Sequence, residues 1–188
     1  MTKTHSILAD FEIKELLLAK EPMLDPYILD QRGKPSYGTG SFGYDLRLGS
    51  KFLVHKPHTS GTLDPLEDNS HLFKEVFEDK IFYLAPHTQV LAETVEWFNM
   101  PDDIVSIVLG KSSFARLGLL VNCTPAEPKW KGRLTMELAN LSPLPIALHV
   151  GQGIAQALFF RGERPNRTYD EKEAGGIYQM QQGVTLPQ

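Results

Sequence analysis

Fifteen glycines and thirteen prolines are spread along the 188 residues and do not gather in one linker. Glycine and proline punctuate regular structure, so the spread divides the chain into many short elements. Short strands joined by turns fit that pattern, as in a sandwich or a barrel. One helix of some length is expected, near the start. Phe11, Ile13, Leu16, Leu17 and Leu18 recur close to helical spacing, Asp10 is placed to cap them, and Glu21 with Pro22 ends the run. Strands are expected over 44–54, 89–97, 104–109, 134–140 and 154–160. In 89–97 the alternation puts Leu91, Val95 and Trp97 on one face. The run 104–109 is mostly apolar, as in a buried strand. GKSSFARLG at 110–118 reads as a helical turn or two, capped by Ser112 or Ser113 and ended by Gly118. After Arg161 the composition turns charged, and 161–188 reads as a mobile tail that orders on binding.

The length suits one domain with a real core. Nineteen basic and twenty-three acidic residues leave a net charge of −4. A nucleic-acid-binding domain usually carries a basic surplus, so this one is a poor fit to that class. A single cysteine, Cys123, excludes an internal disulfide and any zinc site built on two thiolates. Apolar runs are short of the roughly 20 residues a membrane helix needs. The first twenty residues mix acidic with apolar side chains and offer no small-residue cleavage site, so a cytoplasmic location is expected.

Candidate chemistry sits in a few places. In LTMELAN, Leu134, Met136 and Leu138 share one face, and Thr135, Glu137 and Ala139 share the other. Glu137 is open to two readings: a solvated strand face, or a general base in a pocket left roomy by its small neighbours. Lys111, Ser112 and Ser113 combine an ammonium, two hydroxyls and free backbone N–H groups. They fit either a phosphate cradle or an ordinary turn, and Arg116 follows on the same short helix. Gly43 permits a close backbone approach, while Tyr44 beside it fits a core position. The histidines form no ligand set, since His55 and His58 lack a third partner nearby. The H-x-E and P-C-x-x-C elements of zinc deaminases are both absent. Cys123 lies in an apolar context and reads as a structural thiol.

Taken together, SYGTGSFGYDLRLG at 36–49, GKSSFARLGLLVNCTPAEPKWKG at 110–132, LTMELAN at 134–140, GIAQALFF at 153–160 and YQMQQGVTLP at 178–187 resemble the metal-independent dCTP deaminases of the dUTPase-like superfamily. The resemblance implies a mainly β fold, a distorted barrel with an N-terminal helix and a few short ones. It implies a homotrimer with active sites shared between subunits, and hydrolysis of dCTP to dUTP and ammonia for thymidylate synthesis. Glu137 matches the catalytic glutamate, and Ser112 and Arg116 match residues around its water. Lys111, Ser112 and Ser113 match the phosphate-contacting loop, and Phe114, Ala115 and Arg116 beyond them are expected among the substrate contacts. Thr135 and Gln156 match base- or sugar-side contacts, Met136 is expected among the substrate contacts, and Tyr169 and Gln181 match tail residues that close over the triphosphate. Mg²⁺ is expected on the substrate phosphates, with no zinc, and relatives often respond to dTTP as an inhibitor. One departure stands out: Ile177 occupies a tail position that is commonly lysine in the family, so either another cation such as Lys172 compensates or the phosphate-chain preference has changed. The competing functions are a dUTPase or bifunctional enzyme, for which a GVID-like hairpin and a glycine-rich tail are missing, and a non-catalytic nucleotide-sensing module. Retention of Glu137, Ser112 and Arg116 weighs against the latter.

Overall fold

The structure is a computed structural model and describes residues 6–57 and 60–187. His58 lies outside the described residues. Helix α1 (Asp10–Leu17) buries Ile13 and Leu17, one turn apart, while Phe11 and Leu18 stay exposed. Its stripe is therefore narrower than the sequence pattern predicts. Asp10 does not cap it. Ala9 is the capping residue, and the Glu12 carboxylate accepts the Ala9 N–H at 3.2 Å. Asp10 and Glu12 instead place negative charge in the first turn, where the helix dipole favours it.

Strands β1 (Leu24–Asp25), β2 (Gly38–Thr39), β3 (Tyr44–His55), β4 (Phe73–Phe77), β5 (Ile81–Leu84) and β6 (Gln89–Asn99) come next. Then follow β7 (Ile104–Gly110), the short helix α2 (Ser112–Ala115), β8 (Leu119–Asn122), β9 (Lys131–Asn140), β10 (Ile146–His149) and β11 (Gly153–Arg161). Among the described residues, nine strands make one antiparallel sheet with the path β7-β11-β3-β6-β9-β8, and β5 and β10 form a separate ribbon. The two ends of that path approach each other. Ser106 of β7 exchanges both backbone hydrogen bonds with Ala126, just beyond β8, at 2.9 and 3.0 Å. The sheet is thus a nearly closed barrel, which removes most of its open edge.

The barrel interior follows from strand alternation. Tyr44, Leu46, Leu48 and Phe52 of β3 meet Val90, Ala92 and Phe98 of β6, Met136 and Leu138 of β9, and Ala155, Ala157 and Phe159 of β11. Tyr44 is a core residue, with its hydroxyl accepting the Ile28 N–H at 3.0 Å. Gly43 has φ +89, and a Cβ there would collide with the carbonyl oxygen of Ala157, so the close approach read from the sequence is present.

Two expectations are corrected. In β6 the inward face is Val90, Ala92, Thr94, Glu96 and Phe98, opposite to the one named from Leu91, Val95 and Trp97. Its two polar members hid the pattern, because both are satisfied internally. Thr94 Oγ1 accepts the Leu134 N–H at 3.1 Å, and Glu96 pairs with Arg47 Nε at 2.6 Å. In β7 only one face is buried, since Ile107 and Leu109 are exposed on this edge strand.

Nor do Ser112 and Ser113 cap α2. They are its first residues, Lys111 holds the cap position, and Gly118 follows at φ +90. The segment after β11 lies against its own chain. Trp130 Nε1 donates to the Tyr178 carbonyl at 2.8 Å, and Gln181 bridges to the start of β9. Gly132 lets that backbone approach, because a Cβ there would sit 3.0 Å from Gln181 N and O. Among the described residues no helix is long and apolar enough to cross a membrane.

Candidate active site

A cleft of about 1070 Å³ opens between the outer face of β9, the segment 124–130, the loop before β4 and the C-terminal segment. Alternation along β9 sends Leu134, Met136 and Leu138 to the core and turns Thr135 and Glu137 to this cleft. Glu137 is half-buried. Burial raises its carboxyl above the ordinary glutamate range, and a hydrogen bond from Asn122 opposes that rise. The Asn122 amide nitrogen donates to Glu137 Oε2 at 3.0 Å from the neighbouring strand β8.

Thr135 is engaged by the C-terminal segment. Its hydroxyl oxygen accepts from Gln181 Nε2 at 2.6 Å and from the Thr185 N–H at 3.2 Å. Gln181 also donates to the Arg133 carbonyl at 2.8 Å, while its own backbone carbonyl accepts the Arg133 N–H. Tyr169 lines the cleft and accepts the Tyr178 N–H on its hydroxyl at 3.0 Å. The cations of the lining are Arg167 and Lys172. Lys172 Nζ lies 2.6 Å from Glu127 Oε1 and 4.8 Å from the centre of the Tyr169 ring. Ile177 is an exposed wall residue beside them.

The structure therefore brings together Thr135, Glu137, Tyr169 and Gln181 of the residues singled out from the sequence. It does not bring Lys111, Ser112, Ser113, Ala115, Arg116 or Gln156 to the cleft of the same chain. Ser112, Ser113, Ala115 and Arg116 are exposed on and beside α2. Lys111 Nζ is held by Asp45 at 2.6 Å and by Ser36 Oγ at 3.0 Å. Gln156 stands on β11 between Asp45 and Leu109. Phe114 and Met136 put their side chains in the core, which leaves only their backbone for a ligand. Cys123 is half-buried, and burial with the nearby Glu137 charge pushes its thiol far up, as befits an inert thiol.

Sequence reasoning missed Asn122, Glu127 and Arg167. Asn122 meets Glu137 only through strand pairing, fifteen residues apart in the chain, and nothing local announces it. Glu127 stands in the TPAEPKW segment, where its carboxylate reads as an ordinary loop charge.

Residues 7–162 match the family model described as dCTP deaminase-like. The chain is 42% identical over 185 residues to a dCTP deaminase of Anaplasma phagocytophilum, covering 97% of this chain and 98% of that one. It is 40% identical over 182 residues to a dCTP deaminase of Campylobacter concisus, covering 95% and 96%. Among solved structures, the 2′-deoxycytidine 5′-triphosphate deaminase from Agrobacterium tumefaciens aligns with a TM-score of 0.67 at 22% identity. That alignment covers 85% of this chain and 49% of the other, a likeness of fold.

Proposed function

Because the chain belongs to the dCTP deaminase-like family, we propose that it hydrolyses dCTP to dUTP and ammonia, with Glu137 as general base and acid. The observation that carries this reading is a half-buried carboxylate, raised in proton affinity, on the wall of a nucleotide-sized cleft. The ionised carboxylate takes a proton from water as the hydroxide oxygen bonds to C4 of cytosine. It returns that proton to N3, which receives the electron pair released by the C4–N3 double bond. The new C4 hydroxyl then loses its proton, the 4-amino group gains one, and the C4–N bond breaks as ammonia leaves and the C4 carbonyl forms. A base with an elevated pKa suits both halves of that shuttle.

Ser112 and Arg116 are read as orienting the attacking water and supporting Glu137 from a neighbouring copy of the chain. Their exposure on and beside α2, away from the cleft of their own chain, supports that reading. So do the exposed Leu109, Leu117 and Leu120, which flank the same helix in the chain, and the exposed Leu141, whose N–H bonds to the Gly118 carbonyl just past it; exposed leucines there suit burial against another subunit. The family's trimer would supply such a partner. Arg167 and Lys172 are the cleft cations placed to meet the phosphates, with Lys172 standing in for the lysine replaced by Ile177. Among the described residues no group of three or more His, Cys, Asp and Glu converges to hold a metal ion. Magnesium enters this reading from the family resemblance, as part of the substrate, carried on the triphosphate.

The test is to follow ammonia and nucleotide products with dCTP, dCDP, dCMP and CTP, each with and without Mg²⁺. Ammonia with dUTP from dCTP is expected. Pyrophosphate release without ammonia, or nucleotide binding without turnover, would overturn the reading.

A further inference from the structure

We propose that Asn122 is the positioning residue for Glu137, an inference that rests on the deaminase reading of the site. Asn122 ends β8 directly opposite Glu137 of β9, so the two side chains stand on the same face at the spacing of cross-strand partners. The Asn122 amide nitrogen lies 3.0 Å from Glu137 Oε2. An ionised carboxylate only accepts hydrogen bonds, so the amide must present its NH₂ and not its oxygen. One carboxylate oxygen is thereby tied, and the rotation of the carboxylate plane is restrained for the proton transfers it must make.

The surroundings leave few other groups for that task. Facing Glu137 from β6 is Leu91, with Gln89 and Glu93 two residues to either side. Glu93 is turned to the C-terminal segment, where it accepts the Val184 N–H. The adjacent thiol on the β8 side is Cys123. From the C-terminal segment come the neutral Gln181 and Thr185, both bonded to Thr135. The charged and titratable groups across the cleft are His55, Asp64, Glu127, Arg167, Tyr169, Lys172, Glu173 and Tyr178. Among the described residues, the side chain that bonds to Glu137 is Asn122. Burial pushes the Glu137 carboxyl up and the Asn122 bond pulls it down, so the asparagine also limits how far the base is shifted.

Asn122→Asp is nearly isosteric, removes the donor and sets a second carboxylate against the first. It should move the acid limb of the kcat profile up by about one pH unit or more and cut kcat at pH 7 by about tenfold, with KM within about twofold. Asn122→Ala should move the limb the same way by less, and Asn122→His, which retains an N–H donor, should recover part of kcat. An unmoved acid limb in Asn122→Asp, or a raised KM with kcat intact, would overturn the proposal. A second readout does not need turnover: NMR titration of the Glu137 carboxyl, assigned through Glu137→Gln, should show a higher midpoint in Asn122→Asp and in Asn122→Ala. An unchanged midpoint would also overturn it. If wild-type protein releases no ammonia from dCTP, the deaminase reading fails, while the titration still decides the pairing.

Discussion

Burial of Glu137 costs stability, and under the proposed mechanism the same burial serves catalysis. Its carboxyl is raised within the fold, so the folded state holds the proton more tightly than the unfolded state does. Above the folded pKa the buried charge therefore lowers stability, and below the unfolded pKa that loss is absent. Glu137→Gln keeps the shape and an acceptor for Asn122 but removes the charge. It should melt at a higher temperature than wild type at pH 7 to 8, with the gap closing as pH falls through the raised carboxyl midpoint. In the same variant turnover should fall by about 10⁴-fold, since both proton transfers lose their carrier, while dCTP affinity changes little. Calorimetry across pH and an ammonia assay check the two halves; substantial residual ammonia release would refute the assignment of Glu137. Under the proposed mechanism the ionised form is the active one, so the acid limb of activity should lie above the ordinary glutamate value of about 4.3. Period-2 alternation in LTMELAN made the outward position of Glu137 readable from sequence. Asn122 was not readable, because register between β8 and β9 is set by the whole sheet.

At the scale of elements, two devices tie distant parts of the chain together. The first joins β3 to β6. Glu96 is wholly buried and Arg47 nearly so, and Glu96 accepts from both Arg47 Nε and the Arg47 backbone N–H. Arg47→Met leaves that carboxylate buried without its cation and should cost about 3–5 kcal/mol in denaturant unfolding. Adding Glu96→Gln removes the stranded charge, retains an acceptor for the Arg47 N–H, and should restore most of the loss. This pair also explains why the inner face of β6 was misread: a hydrophobic pattern carries no mark for a polar side chain whose partner lies 49 residues away. The second device seats the C-terminal segment on β9. Gln181→Ala deletes its bonds to the Arg133 carbonyl and to Thr135, worth about 1 kcal/mol each. Hydrogen exchange at Arg133 and across 178–185 should quicken by about tenfold or more, while the barrel core is unaffected. Sequence composition marked this segment as a separate, charged stretch. The docking partner was hidden because part of it is backbone, the Arg133 N–H and carbonyl, and Gly132 is what lets the segment approach.

The whole molecule raises a different question, which is how one chain could complete the proposed chemistry. Scattered glycine and proline pointed to short strands in a sandwich or a barrel; the sheet is a nearly closed barrel, but β3, β6, β9 and β11 are long strands of 12, 11, 10 and 9 residues. Glycine and proline could not foretell that Glu137 and the Ser112–Arg116 segment would face different ways on one chain, since that depends on how the barrel curls. If two chains build each site, damage on different chains should be complementary. Arg116→Ala retains Glu137, and Glu137→Gln retains Arg116, so each variant alone should be nearly inactive. In a cyclic trimer assembled at random from equal amounts, a working site needs Glu137 from one chain and Arg116 from its neighbour on one side. Each condition is met half the time, so about a quarter of the sites should regain both groups. Co-expressed or co-refolded mixtures should then recover about a quarter of wild-type ammonia release, whereas mixing preassembled variants without subunit exchange should recover none. Leu120→Asp, at an exposed leucine shortly after α2, should shift sedimentation toward the monomer and lower activity without loss of the β-sheet circular dichroism signal. A monomer that retained full activity, or a mixture that stayed silent despite proven exchange, would mean that each chain completes its own site.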